Sequence, residues 1–358
     1  MLPLPHRQVL AVTRVLFGNF YRQYCSAVFT NTSILLSNMA DARRVLAMAR
    51  QMDQLGYRSV WLSENRVLDA ISMSGAIAAT TDLEVGTGIV PVFSRTPAVL
   101  AMTAASISRL SGGKPMHLGI GAGGQVTVER WHGVPFQDTV ATTEETIDIV
   151  KQALAGEKTD VDGSTRRSHG FSIAEGPDFA AYVYVGGMGP KMLDLAARKA
   201  DGLIVTWLSP RILTDFSKRF AESVVDAGRD PQQVQLVPRA YVAVCDDPAA
   251  AREGVRRELV EYLISPPYGK YFSSVGFGEE VAAARAGYEA RNRQQAVAGV
   301  SDALVDEVLI CGRTPDEIAE PLRAYFASGA DHVMVQPVPS ERGGDPEQTI
   351  SAVAEALR

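Results

Sequence analysis

Long apolar runs are absent from this chain. No segment of its 358 residues approaches the roughly 18–20 apolar residues that a membrane-crossing helix needs. Cysteine is scarce: Cys25, Cys245 and Cys311 lie far apart and are odd in number, which excludes a disulfide framework and points to reduced thiols in a cytoplasm. Positive charge does not predominate, since 35 Lys and Arg against 41 Asp and Glu leave a net charge of −6. That balance argues against nucleic acid as the main partner. His117, His132 and His169 are scattered without metal-ligand spacing, so no metal site is expected. No Gly-x-Ser-x-Gly elbow is present, which speaks against a Ser-His-Asp hydrolase. The first 37 residues carry Arg7, Arg14 and Arg22 but no compact apolar core with a cleavage site. They read as an N-terminal extension (1–27) and a first strand (27–36), and not as a signal peptide.

What is present is alternation. Helical spacing over 40–55 ends at Gly56; a short strand (59–62), a helix (69–79) and a strand (83–90) follow. The rhythm continues with a helix (97–110), a strand (116–120), a helix (142–154), a strand (180–185) and a helix from Pro190. It goes on through a strand (202–206), a helix (210–227), a strand (234–244), a helix (314–327), a strand (332–337) and a helix (346–357). Residues 156–173 read as an irregular polar stretch, and 249–297 as a helical insertion broken at Pro266-Pro267. About eight strand–helix units favour a closed (β/α)8 barrel over a doubly wound sheet. The latter would need a Gly-x-Gly-x-x-Gly after the first strand, and none is there. With no linker or shift in composition, residues 28–358 read as one barrel domain.

Glycine marks the strand ends, where such barrels place their chemistry. Gly186-Gly187-Met188-Gly189-Pro190-Lys191 leads from an apolar strand into a helix. Glycine lets a ligand approach the backbone, and free amides at a helix start attract anions, so this turn suits a phosphate. Gly86-Thr87-Gly88-Ile89-Val90 and Gly121-Ala122-Gly123-Gly124 end two earlier strands. Few of these ends are charged, which suits a large flat cofactor laid against backbone. Ser63-Glu64-Asn65 ends the second strand. Glu64, expected in a cavity lined by Trp61, Ile89 and Trp207, is a candidate proton donor whose pKa apolar walls would raise. Hydrogen bonding to cofactor or backbone is its alternative role. His132 beside Trp131 reads as a loop-packing residue or as the rival proton donor. Trp61 and Trp207 read as core or pocket wall, and Arg95 as a helix-start or anion-binding residue.

Four stretches together resemble the bacterial luciferase-like barrel superfamily, and more narrowly its deazaflavin-dependent branch, similar to methylenetetrahydromethanopterin reductase. They are Leu55-Gly56-Tyr57-Arg58-Ser59-Val60-Trp61 leading to Glu64; Gly86-Thr87-Gly88-Ile89-Val90 through Arg95-Thr96-Pro97; Leu118-Gly119-Ile120-Gly121 through Trp131-His132-Gly133; and residues 186–193 followed by Ala200-Asp201-Gly202. The resemblance spans about residues 40–354. It implies coenzyme F420 as hydride carrier, with its phosphate at Gly186, Gly187, Met188, Gly189 and Pro190. It also implies a cis peptide at Gly88–Ile89 forming a bulge behind the ring. Asn65, Thr87, Val90, Gly121, Ala122 and Gly123 complete the expected cofactor contacts. Two departures stand out: relatives often carry Asp-His where this chain has Glu64-Asn65, and some carry a glutamate where it has Gly124.

The expected function is an F420-dependent oxidoreductase moving a hydride between reduced deazaflavin and a C=N or activated C=C bond of a small organic substrate. An FMN-dependent monooxygenase on the same barrel is the first alternative, and a non-catalytic flavin-binding relative the second. Expected partners are the substrate and, in a homodimer or higher homo-oligomer, other copies of the chain.

Overall fold

The computed structural model describes residues 28–174 and 178–358; the N-terminal extension (1–27) lies outside the described residues. Eight parallel strands close on themselves: β1 (Thr32–Leu36), β2 (Ser59–Leu62), β3 (Glu84–Thr87), β4 (Met116–Gly121), β5 (Ala181–Gly186), β6 (Gly202–Thr206), β7 (Gln235–Val244) and β8 (Val333–Pro337). Each pairs with the next in parallel, and β8 pairs back onto β1. The expected closed barrel is therefore present. β1 is shorter than expected, because residues 28–30 are helical and the strand begins at Thr32.

The outer ring consists of α1 (Ala42–Gln54), α2 (Ala70–Ala78), α3 (Pro97–Leu110), α4 (Thr139–Leu154), α5 (Pro190–Lys199) and α6 (Pro210–Asp226) before the insertion. Local chemistry starts them. Asp41 caps α1, Asp69 caps α2 and Ser209 caps α6 by accepting from first-turn amides, and α3, α5 and α6 carry proline at their first position. The insertion is longer than the spacing suggested. It holds α7 (Pro248–Ile264), α8 (Pro266–Ser274), α9 (Gly278–Glu289), α10 (Arg293–Ala298) and α11 (Asp302–Val308). These helices share an apolar cluster with Trp207 and Tyr241 of the barrel, so they cover the β6–β7 side of its mouth. A four-residue strand, Leu309–Gly312, then pairs with the end of β7, before α12 (Pro315–Ala327) and α13 (Pro346–Leu357) complete the ring. The polar stretch after α4 contains a small hairpin, Asp160–Asp162 with Arg167–His169. No helix among the described residues is long and apolar enough to cross a membrane.

Side chains two apart on a strand share a face, and this sorts the barrel interior into layers. The middle layer is Leu35, Trp61, Tyr184, Ile204, Val237 and Met334, which form one buried cluster. Glycine makes room for it: a Cβ on Gly86 would enter the Trp61 ring, and one on Gly202 would lie 2.5 Å from Tyr184. Below, at the N-terminal ends of the strands, a polar layer is fully paired. His117 Nε2 meets Glu84 at 2.9 Å, His117 Nδ1 meets Tyr184 Oη at 3.2 Å, and Tyr184 donates to Gln235 at 2.8 Å. His332 Nε2 meets Ser33 Oγ at 2.8 Å. This end of the barrel is closed.

Burial beside Trp61 and near His117 pushes the His332 imidazole down to about 3. The unfolded chain, with a histidine pKa of about 6.5, takes up a proton that the native state refuses, so stability falls as pH drops from about 6.5 toward 3. In urea unfolding at pH 7 and pH 5, the native protein should lose about 1–2 kcal/mol more than His332→Gln. Equal losses would show that His332 is protonated as easily when folded.

Candidate active site

The top layer of the interior, at the C-terminal ends of the strands, has two unlike halves. At the ends of β3, β4 and β5 the inward positions are Gly88, Gly121 and Gly186. The peptide bond between Gly88 and Ile89 is cis, and the Ile89 side chain leans across this glycine wall. A Cβ on Gly186 would lie 2.7 Å from Ile89 Cγ2, and one on Gly121 would lie 3.5 Å from the same side chain. Ile89, Gly121 and Gly186 are thus brought together. Thr87 and Val90 contribute backbone only: Thr87 Oγ1 donates to Gly119 O at 2.9 Å, and Val90 is fully buried opposite Ile120. Ala122 is half-buried, and Gly123 turns at φ +72° against Pro91.

The Gly186–Lys191 turn resolves residue by residue. The Gly187 amide donates to Ile204 O at 3.1 Å, so it belongs to the sheet. Met188 is fixed through its Sδ, which accepts from the Thr206 amide at 3.4 Å. Gly189 caps α5 and Pro190 opens it. The amides of Met188, Gly189 and Lys191 have no acceptor among the described residues. A Cβ on Gly189 would meet nothing within 4 Å, whereas one on Gly187 would lie 2.6 Å from Met192 Cβ. The open approach is therefore at Gly189, and Gly187 is a packing glycine.

Glu64 is not surrounded by apolar walls. Its carboxylate forms a bidentate pair with Arg95 at 2.5 and 2.7 Å, with Ser94 Oγ at 3.4 Å, and Arg95 also pairs with Asp69. Trp61 lies in the middle layer, and Trp207 stacks on Tyr241 beneath the insertion. The Glu64 amide donates to Ile89 O at 3.1 Å, so this residue holds the loop after β3 by both main chain and side chain. Asn65 turns toward β1, donating to Asn38 Oδ1 at 2.9 Å and accepting from the Val67 amide at 3.0 Å. His132 follows the short π-helical segment Thr127–Trp131 and is exposed at the rim. No cluster of three metal-ligating side chains occurs among the described residues.

The other half of the mouth was missed. On β6, β7 and β8 the inward positions are Thr206, Arg239, Tyr241 and Gln336, with Thr206 opposite Arg239 and Tyr241 opposite Gln336. Tyr241 donates to Glu258 of α7 at 3.0 Å, and Glu258 pairs with Arg342. The signal was available: an arginine inside the apolar run of β7 is out of place in a core.

The luciferase-like monooxygenase family model matches residues 24–332. The chain belongs to that family. Its relatives include 5,10-methylenetetrahydromethanopterin reductase of Methanolobus tindarius, 27% identical over 321 residues that cover 88% of this chain and 95% of the relative. The reductase of the same name from Archaeoglobus fulgidus is 26% identical, over 84% of this chain and 91% of its own. Among solved structures, the coenzyme F420-dependent tetrahydromethanopterin reductase of Methanopyrus kandleri superposes with a TM-score of 0.77 at 18% identity, covering 91% of this chain and 98% of the other. The resemblance to this superfamily drawn from the four stretches is borne out.

Two outcomes test the site. Gly189→Val should leave thermal stability within about 1 kcal/mol of the parent, a cap change on one helix, yet abolish phosphate-dependent ligand binding. Gly187→Val should instead unfold at lower temperature, and the reverse pattern would remove the phosphate from this turn. Glu64→Gln breaks a partly buried ion pair, and urea unfolding should show a loss of about 1–3 kcal/mol. Stability equal to that of the parent would mean that the Arg95 pair does not hold the loop.

Proposed function

We propose that this protein is an oxidoreductase that uses coenzyme F420 and transfers a hydride to or from a C=N or activated C=C bond of a small organic substrate. The observation that carries the reading is the glycine wall of β3, β4 and β5, continuous with the open amides at the start of α5. A wall of glycine backbone faced by the single Ile89 side chain takes a flat ring, and helix-start amides take a phosphate. The names of the relatives point the same way.

On this reading Met188, Gly189 and Lys191 hold the phosphate through main-chain N–H groups, with Gly186, Gly187 and Pro190 shaping the turn. Ile89, flanked by Gly88 and Val90, supports the ring from behind, while Gly121, Ala122 and Gly123 line its edge. When bound, the cofactor supplies the carbon that gives or takes the hydride. The chain supplies orientation, exclusion of water and a proton. We assign Glu64 the positioning of the Ile89 loop, because its carboxylate is committed to Arg95. Proton transfer then falls to His132, whose ring has no partner among the described residues and stands at the rim. In turnover assays on a screened substrate, His132→Gln should cost about 10²-fold or more, as loss of a general acid does. A loss of a few-fold would return the ring to loop packing.

The FMN-dependent monooxygenase is the second reading, since the same cradle accepts any phosphate-bearing flat ring. Parallel titrations of the full chain with F420 and FMN, followed in their visible bands, separate the two. We expect F420 to bind at least about tenfold tighter, a difference of about 1.4 kcal/mol. Tighter FMN binding would replace the deazaflavin reading with the monooxygenase one.

A further inference from the structure

The unlike half of the mouth carries a charge that the protein does not balance. Arg239 sits on β7 with its Nε fully enclosed and without an acceptor, while the rest of the side chain keeps an edge toward solvent. Its partners are phenols: Nη2 donates to Tyr241 Oη at 3.2 Å, and Tyr262 and Tyr268 stand close by. Its guanidinium carbon lies 5.1 Å from the Tyr241 ring centre and 5.9 Å from that of Trp207. No carboxylate among the described residues pairs with it. The one that comes near, Glu258, is taken by Arg342 and Tyr241. Arg342 in turn has the exposed Arg66 as a like-charged neighbour, and Arg66 has no partner among the described residues. Three arginines against one glutamate make this side of the mouth positive, on a chain whose net charge is −6.

Apart from Glu258 Oε2 and Arg342 Nη1, which face each other as an ion pair, the unmet hydrogen bonds on this wall have one character. Thr206 Oγ1, Trp207 Nε1 and Arg239 Nε are enclosed and unpartnered, and each is donor-capable. Gln336 Oε1 is also unpartnered, and half a turn of that amide presents its NH2 group instead. The wall lacks acceptors. An enclosed cation left without an anion is costly, as is each unmet donor, so such a group marks a place for an oxygen-bearing anion. A single guanidinium with one net positive charge fits a monoanion, and its planar fork fits a carboxylate. The surrounding Trp207, Tyr241, Tyr262 and Tyr268 fit a flat apolar body behind that carboxylate.

We propose that Arg239, with Thr206 and Gln336, forms a carboxylate subsite on the β6–β8 wall, and that the substrate is an apolar or aromatic monocarboxylic acid. This deepens the proposed function, and it rests on that reading for the cofactor occupying the opposite, glycine wall. The positive rim at Arg66 and Arg342 steers the acid inward.

The test uses the full chain and benzoate as probe, with benzamide as its neutral isostere, by titration calorimetry with and without F420. Benzoate should bind at least about tenfold tighter than benzamide, and added salt should weaken benzoate alone. Arg239→Met should lose that preference and retain the parent's F420 affinity, while Arg239→Lys keeps part of the preference. Equal binding of the two probes, or no benzoate binding at 10 mM on the order of a weak subsite, would overturn the proposal. So would an Arg239→Met variant that loses F420 while keeping benzoate, because the cation would then serve the cofactor. Should Arg239→Met fail to fold, the benzoate-to-benzamide ratio of the native chain decides. Failure of the native chain to bind F420 would sink the cofactor reading and leave the benzoate result standing.

Discussion

The interior of an eight-stranded barrel must be filled, and here Trp61 is the largest side chain of the cluster that fills it. Its ring lies over Gly86, stacks on His117 with centroids 5.2 Å apart, and meets Tyr184 edge-on at 5.3 Å. A large side chain on β2 thus demands the absence of one on β3. Tyr184 imposes the same demand on Gly202. Because these large groups lie in the middle and lower layers, the barrel is solid below and can be hollowed above. The glycines of the top layer stand at the ends of β3, β4 and β5: Ile89 leans over Gly121 and Gly186, and Met334 and Leu35 reach Gly88 from the middle layer.

Two halves of the mouth follow from this arrangement. The β3–β5 half offers backbone: glycine, a cis peptide, and the uncovered start of α5. The β6–β8 half offers side chains: Thr206, Arg239, Tyr241 and Gln336, roofed by α7 and α8. Electrostatics reinforces the division, since the inward positions of the first half carry no charged side chain and the second presents Arg239, with the Glu258–Arg342 pair beside it. Backbone amides hold a phosphate regardless of what is attached to it. A guanidinium among aromatic rings discriminates far more strongly. On the proposed reading, common cofactor and particular substrate are thereby assigned to different walls.

Much of this was legible in the sequence because its causes are local. Alternation of apolar runs, proline at the first position of α3, α5 and α6, and capping by Asp69 and Ser209 are short-range signals. The strand Leu309–Gly312 was not legible: four residues directly after a helix give too short a pattern. Nor was the hairpin after α4, whose Asp-Val-Asp strand is polar. The environment of Glu64 depended on Arg95, 31 residues away, so its neighbours could not be read from its own strand. Gly187 and Gly189 look alike in sequence. Only the position of Met192 separates the packing glycine from the open one. Arg239 was visible as a charge in an apolar strand, but its lack of a carboxylate partner is a property of the fold.

The division of the mouth into a backbone wall for the cofactor and a side-chain wall for the substrate is tested most directly by a crystal structure of the full chain with F420 bound. The account predicts the phosphate against the amides of Met188, Gly189 and Lys191, and the ring against Ile89, with Arg239 making no contact with the cofactor. A phosphate held instead by Arg66, Arg239 or Arg342, with the glycine wall bare, would contradict it.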